Sequence, residues 1–378
     1  MHKVIGLMSG TSLDGIDAAL LETDGVRLGA LGAALTQPYP SELRSRLRGA
    51  IACAAKLEAG APLPQQLREV ERALTDAHAD AVQALLKEAG LPAEAIFLVG
   101  FHGQTVLHRP QQRWTLQLGD GARLAALTGI DVVHDFRTAD VCAGGQGAPF
   151  VPLYHAALVA GAGLPPPVAV VNIGGVANVT WVGRDGLLAF DTGPGNAPLD
   201  DWALRHTGRP LDEDARLARA GHIHEAVVEE MLAHAFFARR PPKSLDRMDF
   251  GMRSVEHLDA ADGAATLTAF TAATIACAAA HFPQPAQLWV VCGGGRHNPA
   301  LMAELRRRLG APVLTAEKLG WRGDFLEAEA FAYLAARSER GLALSLPSTT
   351  GVPEPMPGGR LCRAPRHDPG SGPAAQRA

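Results

Sequence analysis

Twice along this chain an apolar, strand-like run empties into a loop of small residues, hydroxyls and carboxylates. That repetition constrains the fold more than any other feature. The first instance is residues 4–8 running into Ser9-Gly10-Thr11-Ser12-Leu13-Asp14-Gly15-Ile16-Asp17. The second is residues 187–190 running into Asp191-Thr192-Gly193-Pro194-Gly195-Asn196. Short apolar runs bounded by Gly and Ser read as buried strands. Small residues let backbone N–H groups approach phosphate oxygens and hydroxyls add donors. Carboxylates can orient a Mg²⁺ ion or its waters, and a strand-end carboxylate beside such a turn suits a general base. Either loop alone is equally an ordinary turn. One in each half of the chain can clamp a triphosphate from opposite sides.

The surroundings of the two loops also repeat. In the first half, residues 16–22 and 26–34 flank Asp24-Gly25, a hairpin signal. Residues 65–89 place Leu67, Val70, Leu74, Ala77, Ala81 and Leu85 on one helical face, ended by Gly90 and Pro92. Strands over 96–101, 114–118 and 130–134 follow, with a short helix from Gly119-Asp120-Gly121 to Leu127. After Pro165-Pro166-Pro167 a second round predicts strands over 168–173, 178–182, 187–190 and 288–292. Its helices are expected over 214–220, 225–237, 263–281, 299–309 and 325–339, with Asn298 as N-cap and Pro299 in the first helical position of the fourth. A chain of 378 residues suits two domains better than one core. The expectation is an α/β fold of two similar lobes around a central cleft. The N-terminal lobe would span 1–130 and the C-terminal lobe 131–342, with 343–363 packing back on the first lobe. Residues 364–378, rich in Pro, Gly, Ser and Arg, read as a disordered tail.

Composition excludes several function classes. The net charge is −4 and no Lys/Arg block supplies a phosphate-tracking stripe, which argues against nucleic acid as a partner. The five cysteines (Cys53, Cys142, Cys277, Cys292 and Cys362) are odd in number and form no CxxC pair, so neither disulfides nor zinc are expected. The N-terminus lacks the apolar core of a signal peptide, and the run over 270–280 is too short to span a bilayer. We therefore expect a soluble cytoplasmic protein with no membrane partner. No P-loop, dinucleotide fingerprint or HExxH motif is present.

A third glycine-rich element, Val291-Cys292-Gly293-Gly294-Gly295-Arg296-His297-Asn298, reads as a strand ending in three glycines before a helix. Further segments are Gly100-Phe101-His102-Gly103-Gln104-Thr105, Leu116-Gln117-Leu118-Gly119-Asp120-Gly121, Asp135-Phe136-Arg137 and Gly144-Gly145-Gln146-Gly147-Ala148-Pro149. Asn172-Ile173-Gly174-Gly175 and Glu327-Ala328-Glu329-Ala330-Phe331-Ala332 complete the set. In this order, across residues 4 to 351, they resemble the anhydro-N-acetylmuramic acid kinase family of bacterial cell-wall recycling. The resemblance implies two RNase H-like lobes, the actin-like ATPase and sugar-kinase fold. It also implies ATP and Mg²⁺ as cofactors, a homodimer, and the sugar 1,6-anhydro-N-acetylmuramic acid as substrate. That sugar is hydrolytically opened and phosphorylated at O6.

By the same resemblance Asp191 is the catalytic base and Glu327 a second cleft carboxylate. The loop Ser9 to Asp17, with Thr192, Gly193, Gly195 and Asn196, faces the phosphates, and Gly293, Gly294, Gly295 and Asn298 lie against the adenosine. Asp14 and Asp17 are the candidate metal ligands. Arg137 suits the lactyl carboxylate or a phosphate, since a guanidinium matches planar anions; the competing reading is an ion pair with Asp135 or Asp140. His102, Gln104 and Thr105 are candidate sugar hydrogen-bonders, Asn172 shapes the cleft floor, and Gln146 is either a hinge or a sugar contact. One departure stands out: Leu245-Asp246-Arg247 replaces the family's more frequent Thr-Gly-Arg. Two alternatives stay open, a kinase for another small sugar and an ATPase switch. The second conflicts with the lack of room for an added domain after about residue 345.

Overall fold

The hairpin signalled by Asp24-Gly25 forms, and the reason is local. The Asp24 carboxylate accepts from the backbone N–H groups of Val26 and Arg27 at 2.9 and 2.7 Å, closing the turn between the two strands that flank it. In a computed structural model that describes residues 1–10, 12–245 and 250–365, the first half contains β1 (His2–Ser9), β2 (Gly15–Thr23), β3 (Leu28–Pro38), α1 (Ser41–Ala54), α2 (Gln65–Ala89), β4 (Leu98–Arg109), β5 (Trp114–Leu118), α3 (Gly121–Thr128) and β6 (Val132–His134). α4 (Thr138–Cys142) and α5 (Pro152–Gly161) lead to the second half. There follow β7 (Val168–Ile173), β8 (Val176–Val182), β9 (Leu187–Pro194), α6 (Ala197–Thr207), α7 (Arg216–Ala220), α8 (Glu225–Leu232) and α9 (Ala235–Ala238). α10 (Ala260–Ala278), β10 (Leu288–Cys292), α11 (Pro299–Arg308), β11 (Val313–Thr315), α12 (Leu326–Glu339) and β12 (Arg360–Cys362) complete the chain.

The two sheets repeat one pairing scheme. In the first, β3-β2-β1 are antiparallel neighbours, and β4 and β6 add in parallel beside β1. In the second, β9-β8-β7 are antiparallel, and β10 and β11 add in parallel beside β7. This is the duplicated RNase H-like arrangement expected from the sequence. β5 folds back on β4, and β12 pairs antiparallel with β6 at the far edge.

Three expectations need correction. The lobe boundary does not fall at residue 130, because β6 is an integral strand of the first sheet. α12 also belongs to that sheet, packing on β1, β2 and β4, although its sequence position suggested the second lobe. Glycines make this close approach possible: a Cβ on Gly6 would lie 1.8 Å from the Ala328 carbonyl oxygen, and one on Gly100 2.1 Å from that of Phe331. Residues 41–54, given no element from sequence, form α1, whose Leu43, Leu47, Ala50 and Ala54 are buried. Within the expected return segment 343–363, β12 pairs Arg360–Cys362 with β6 of the first sheet. Ala364 still donates its N–H to Asp131 Oδ1, while 366–378 of the expected tail lie outside the described residues.

Core packing follows the alternation of the strands. On the second sheet Val171, Val179, Phe190 and Val291 pack with Ala272 and Ile275 of α10. The opposite face presents Val168, Val170 and Val290 to a shared core with α5, α12 and first-sheet residues Val4, Leu21 and Leu98. That joint core fixes the floor of the cleft. α10 is long and apolar enough by composition to cross a membrane. Here it is wrapped by α6, α7, α8, α11 and β9, and nearly every residue on it is buried.

Candidate active site

Where the inter-lobe face of the second sheet runs out of valines, it turns polar. Four adjacent strands place Cys292, Asn172, Asn178 and Asp191 side by side in register. All four line one cavity of about 320 Å³, with Arg137 from the first lobe's connection and Glu327 at the start of α12. Six polar or ionisable groups from six separate segments thus share a single space.

Asp191 is anchored through its backbone and one carboxylate oxygen. Its N–H donates to the Lys243 carbonyl at 3.0 Å, and its Oδ2 accepts from Leu245 N–H at 2.8 Å. Burial pushes the carboxyl up to about 7, although the Leu245 N–H and the Lys243 ammonium both favour the charged form. Glu327 accepts from Asn172 Nδ2 at 3.2 Å. Burial raises its pKa too; Arg137 opposes that rise and Asp17 adds to it. Glu329, two residues on, is wholly structural: it is fully buried and accepts from Tyr154 Oη and Arg322 Nε, both at 2.6 Å.

Arg137 forms no ion pair with Asp135 or Asp140. Asp140 instead accepts from Gly147 N–H and Thr350 Oγ1, and Asp135 lies 3.8 Å from Arg360. Arg137 donates to the Gly147 carbonyl and, at 3.0 Å, to His102 Nε2. The neutral His102 ring then donates from Nδ1 to the Gly103 carbonyl at 2.7 Å. Burial and the nearby guanidinium hold its pKa well below the usual imidazole range. His102 therefore supports Arg137, with both nitrogens committed, and does not line the cavity with Asp191. Gln104 Nε2 donates to the Gly10 carbonyl and Thr105 Oγ1 accepts from Gln117, so these two brace the first loop and the β4–β5 hairpin.

A second cavity, about 640 Å³, lies on the other side of the three-glycine loop. Asp14, Asn196, His297 and Asn298 line it, and Gly294 belongs to both cavities. The glycines here have separate reasons. Gly293 has φ of +73°, and a Cβ on it would strike Asn172 Oδ1 at 2.3 Å; a Cβ on Gly195 would strike the Gly174 carbonyl oxygen at 2.2 Å, and one on Gly193 would strike the Thr274 side chain. A Cβ on Gly295 would meet the Ile173 side chain at 2.4 Å. Gly294 faces open space, its nearest neighbour being Asn196 Nδ2 at 3.6 Å, as a close-approach position for a ligand requires. Asn298 serves as the N-cap of α11, its Oδ1 accepting from Leu301 N–H at 3.0 Å.

The first loop is only partly free for phosphate. Ile16 is in the core, Leu13 is buried with φ of +59°, and Gly15 is a strand residue pressed against the Gln37 carbonyl. Ser9 is buried and donates to the Gly103 carbonyl. Gly10, Ser12 and Asp14 remain open, and Thr11 lies outside the described residues. Thr192 is likewise turned inward, donating to the Ala177 carbonyl. Asp17 accepts from Thr36 Oγ1, and its pKa is raised by burial. Among the described residues no three His, Cys, Asp or Glu side chains converge as a ready-made metal site. One or two carboxylates beside a phosphate cradle do suit Mg²⁺, which keeps several waters and takes its other ligands from substrate phosphates.

Sequence reasoning missed Asn178, His155 and Arg296. His155 reaches the first cavity from α5 and pairs with Thr180 Oγ1 at 2.8 Å; burial lowers it to about 3, so it stays neutral. The nearly buried Arg296 binds Asp324 and Glu317, both at 2.7 Å, and so fixes an acid at the cavity edge. The Gly-Gly-Gly-Arg spacing held a signal for it, since an arginine on a glycine turn needs a partner. Gln146 is neither a plain hinge nor a contact of the Asp191 cavity: its Oε1 accepts from Ser244 Oγ at 3.0 Å and its carbonyl meets His108 Nε2. Asp246 and Arg247 of the departing loop lie outside the described residues.

Comparison with known proteins adds to this geometry. The family described as anhydro-N-acetylmuramic acid kinase matches residues 2–362. A curated relative of that name from Paramagnetospirillum magneticum is 54% identical over 360 residues, covering 94% of this chain and 98% of that protein. Another, from Acidiphilium cryptum, is 52% identical over 380 residues and covers 100% of both chains. Among solved structures, component A of (R)-2-hydroxyglutaryl-CoA dehydratase from Acidaminococcus fermentans has a TM-score of 0.48 at 12% identity, covering 90% of this chain and 100% of that one.

Proposed function

The chain belongs to the anhydro-N-acetylmuramic acid kinase family, and from that membership and the cleft geometry we propose that it uses ATP and water to open 1,6-anhydro-N-acetylmuramic acid. The products are N-acetylmuramic acid 6-phosphate and ADP, in peptidoglycan recycling. The observation that carries this reading is the convergence of Asp191, Glu327 and Arg137 on one cavity that meets a second cavity at Gly294.

Opening a glycosidic bond normally takes a nucleophile at C1 and an acid on the leaving oxygen. Here the leaving oxygen is O6 of the same sugar. Bound Mg-ATP supplies the phosphoryl group that O6 takes up in place of a proton. Asp191 removes the proton from a water that attacks C1; the C1–O6 bond breaks and its electron pair stays on O6. A carboxyl with a pKa near 7 is well matched to this task at neutral pH. Arg137, fixed by His102 and Gly147, binds the lactyl carboxylate. Glu327, oriented by Asn172, supports the sugar on the opposite wall. Gly10, Ser12, Asp14, Asn196 and Gly294 would hold the nucleotide, and Asp14 and Asp17 would serve as the carboxylates for its Mg²⁺. We further expect a cytoplasmic homodimer.

The test is a product assay in ¹⁸O-water with Mg-ATP and the anhydro-sugar, beside Asp191→Asn. We expect a 6-phosphosugar labelled at C1 from the wild type, and about 10²–10⁴-fold less from the variant. Phosphorylation of ordinary sugars without label would replace the substrate assignment, and ATP consumption with no sugar phosphate would revive the switch.

A further inference from the structure

The register of the second sheet puts a second polar group directly beside Asp191. Ala177 pairs with Gly193, but the next residue, Asn178, pairs with Asp191, leaving Thr192 as the extra residue of a bulge. The bulge lies just beyond Asp191, and the five pairs from Asn178–Asp191 to Val182–Leu187 keep one register. Val179 and Phe190, paired within it, both pack toward α10, so alternation turns Asn178 and Asp191 to the opposite, cleft face. Both line the same cavity. Cross-strand neighbours of this kind have Cβ atoms roughly 4.5–5.5 Å apart, close enough for one water to touch both side chains.

The other polar groups of that wall are committed. Asn172 donates to Glu327, and its Oδ1 abuts Gly293. His155 is tied to Thr180. Asp191 Oδ2 is held by Leu245 N–H. Among the described residues the Asn178 carboxamide makes no hydrogen bond to protein, though it is half-buried in the cavity. A carboxamide in that position needs a partner from solvent or ligand.

Building on the function above, we propose that Asn178 is a catalytic residue that grips the nucleophilic water together with Asp191. The water gives one proton to Asp191 and donates its other hydrogen to Asn178 Oδ1. This leaves an oxygen lone pair aimed at C1. The Asn178 amide exchanges no proton, and the bond changes are those of the parent reaction.

The experiment is a double-mutant cycle on the full chain with Asn178→Ala and Asp191→Asn, reading kcat, KM for the anhydro-sugar, nucleotide affinity and the melting transition. Asn178→Ala should lower kcat about 10–100-fold, with KM and nucleotide affinity nearly unchanged. In the Asp191→Asn background the same change should cost almost nothing, because both groups serve one water. A raised KM with unchanged kcat would make Asn178 a sugar contact and overturn the proposal, as would fully additive losses. If the alanine variant does not fold, Asn178→Asp keeps the shape and the acceptor. Its added charge should move the acid limb of the kcat profile to higher pH through Asp191, and an unmoved limb refutes the shared water. Wild-type protein that fails to form labelled 6-phosphosugar would overturn the parent function instead, so the two failures are distinguishable.

Discussion

Gly6→Ala should damage both stability and catalysis, although Gly6 is nowhere near the substrate. A methyl at that position of β1 would meet Ala328 O at 1.8 Å, Ala332 N at 2.6 Å and Ala328 C at 2.8 Å. All three are backbone atoms of α12, so no side chain can rotate away. Restoring an ordinary 3.4 Å contact means lifting the helix by about 1.6 Å. Overpacking a core costs about 1–3 kcal/mol, and a backbone obstacle belongs at the upper end. Ala328 directly follows Glu327, so the cavity wall moves with the helix. Misplacement of a reacting group by about 1 Å can cost roughly 10²-fold in rate. The assay is a thermal melt beside steady-state ADP release, with Gly161→Ala at the end of α5 as control, since nothing lies within 4 Å of a Cβ there. A Gly6→Ala protein that melts within about a degree of wild type and keeps full kcat would refute the reasoning.

Asp191→Asn should stabilise the protein while inactivating it. Its folded-state pKa is raised from the ordinary 3.8 to about 7, so its stability contribution is full below about pH 4 and is lost as pH rises through 7. Asparagine escapes that loss, so at pH 8 the variant should gain up to about 4 kcal/mol over wild type, shrinking to nothing near pH 4. Urea melts at both pH values check this, and a pH-independent difference contradicts it; wild-type kcat should rise with pH to a plateau above about 7. Glu329→Ala should cost about 3–5 kcal/mol by leaving Arg322 without its buried partner. Glu327→Gln, at a second carboxyl whose pKa burial raises, should leave the melt no lower than wild type and lower kcat. The opposite pattern would mean the two acids of α12 have been assigned the wrong way round.

Much of the architecture was legible because its signals are local. Strand ends, the Gly90 stop, the Asn298 cap and the twofold recurrence of strand, loop and hairpin are all encoded within a few residues. The placement of α12 was not, since periodicity reports that a helix has an apolar face but not which sheet receives it. α12 is buried nearly all round and returns to strands more than two hundred residues earlier. The same limit explains the first loop. Hydroxyl-rich composition made every residue from Ser9 to Asp17 a phosphate candidate, while strand alternation sends Ile16 into the core and pairing claims Gly15. Asn178 was invisible because its importance rests on which residue of the neighbouring strand it pairs with. His102 looked like a sugar contact because a sequence cannot show that both of its nitrogens are already engaged.

The residence of α12 and β12 in the first sheet has a consequence for how the chain emerges from a ribosome. The second sheet is drawn from one continuous stretch, Val168 to Thr315, and can close as soon as that stretch is out. The first sheet cannot. Until Leu326–Glu339 has been synthesised, the glycine groove at Gly6 and Gly100 and the apolar Val4, Leu21 and Leu98 have no cover. The oldest residues of the polypeptide therefore wait for nearly the youngest, and a prematurely terminated chain would display a bare apolar face of the sort that chaperones and proteases engage.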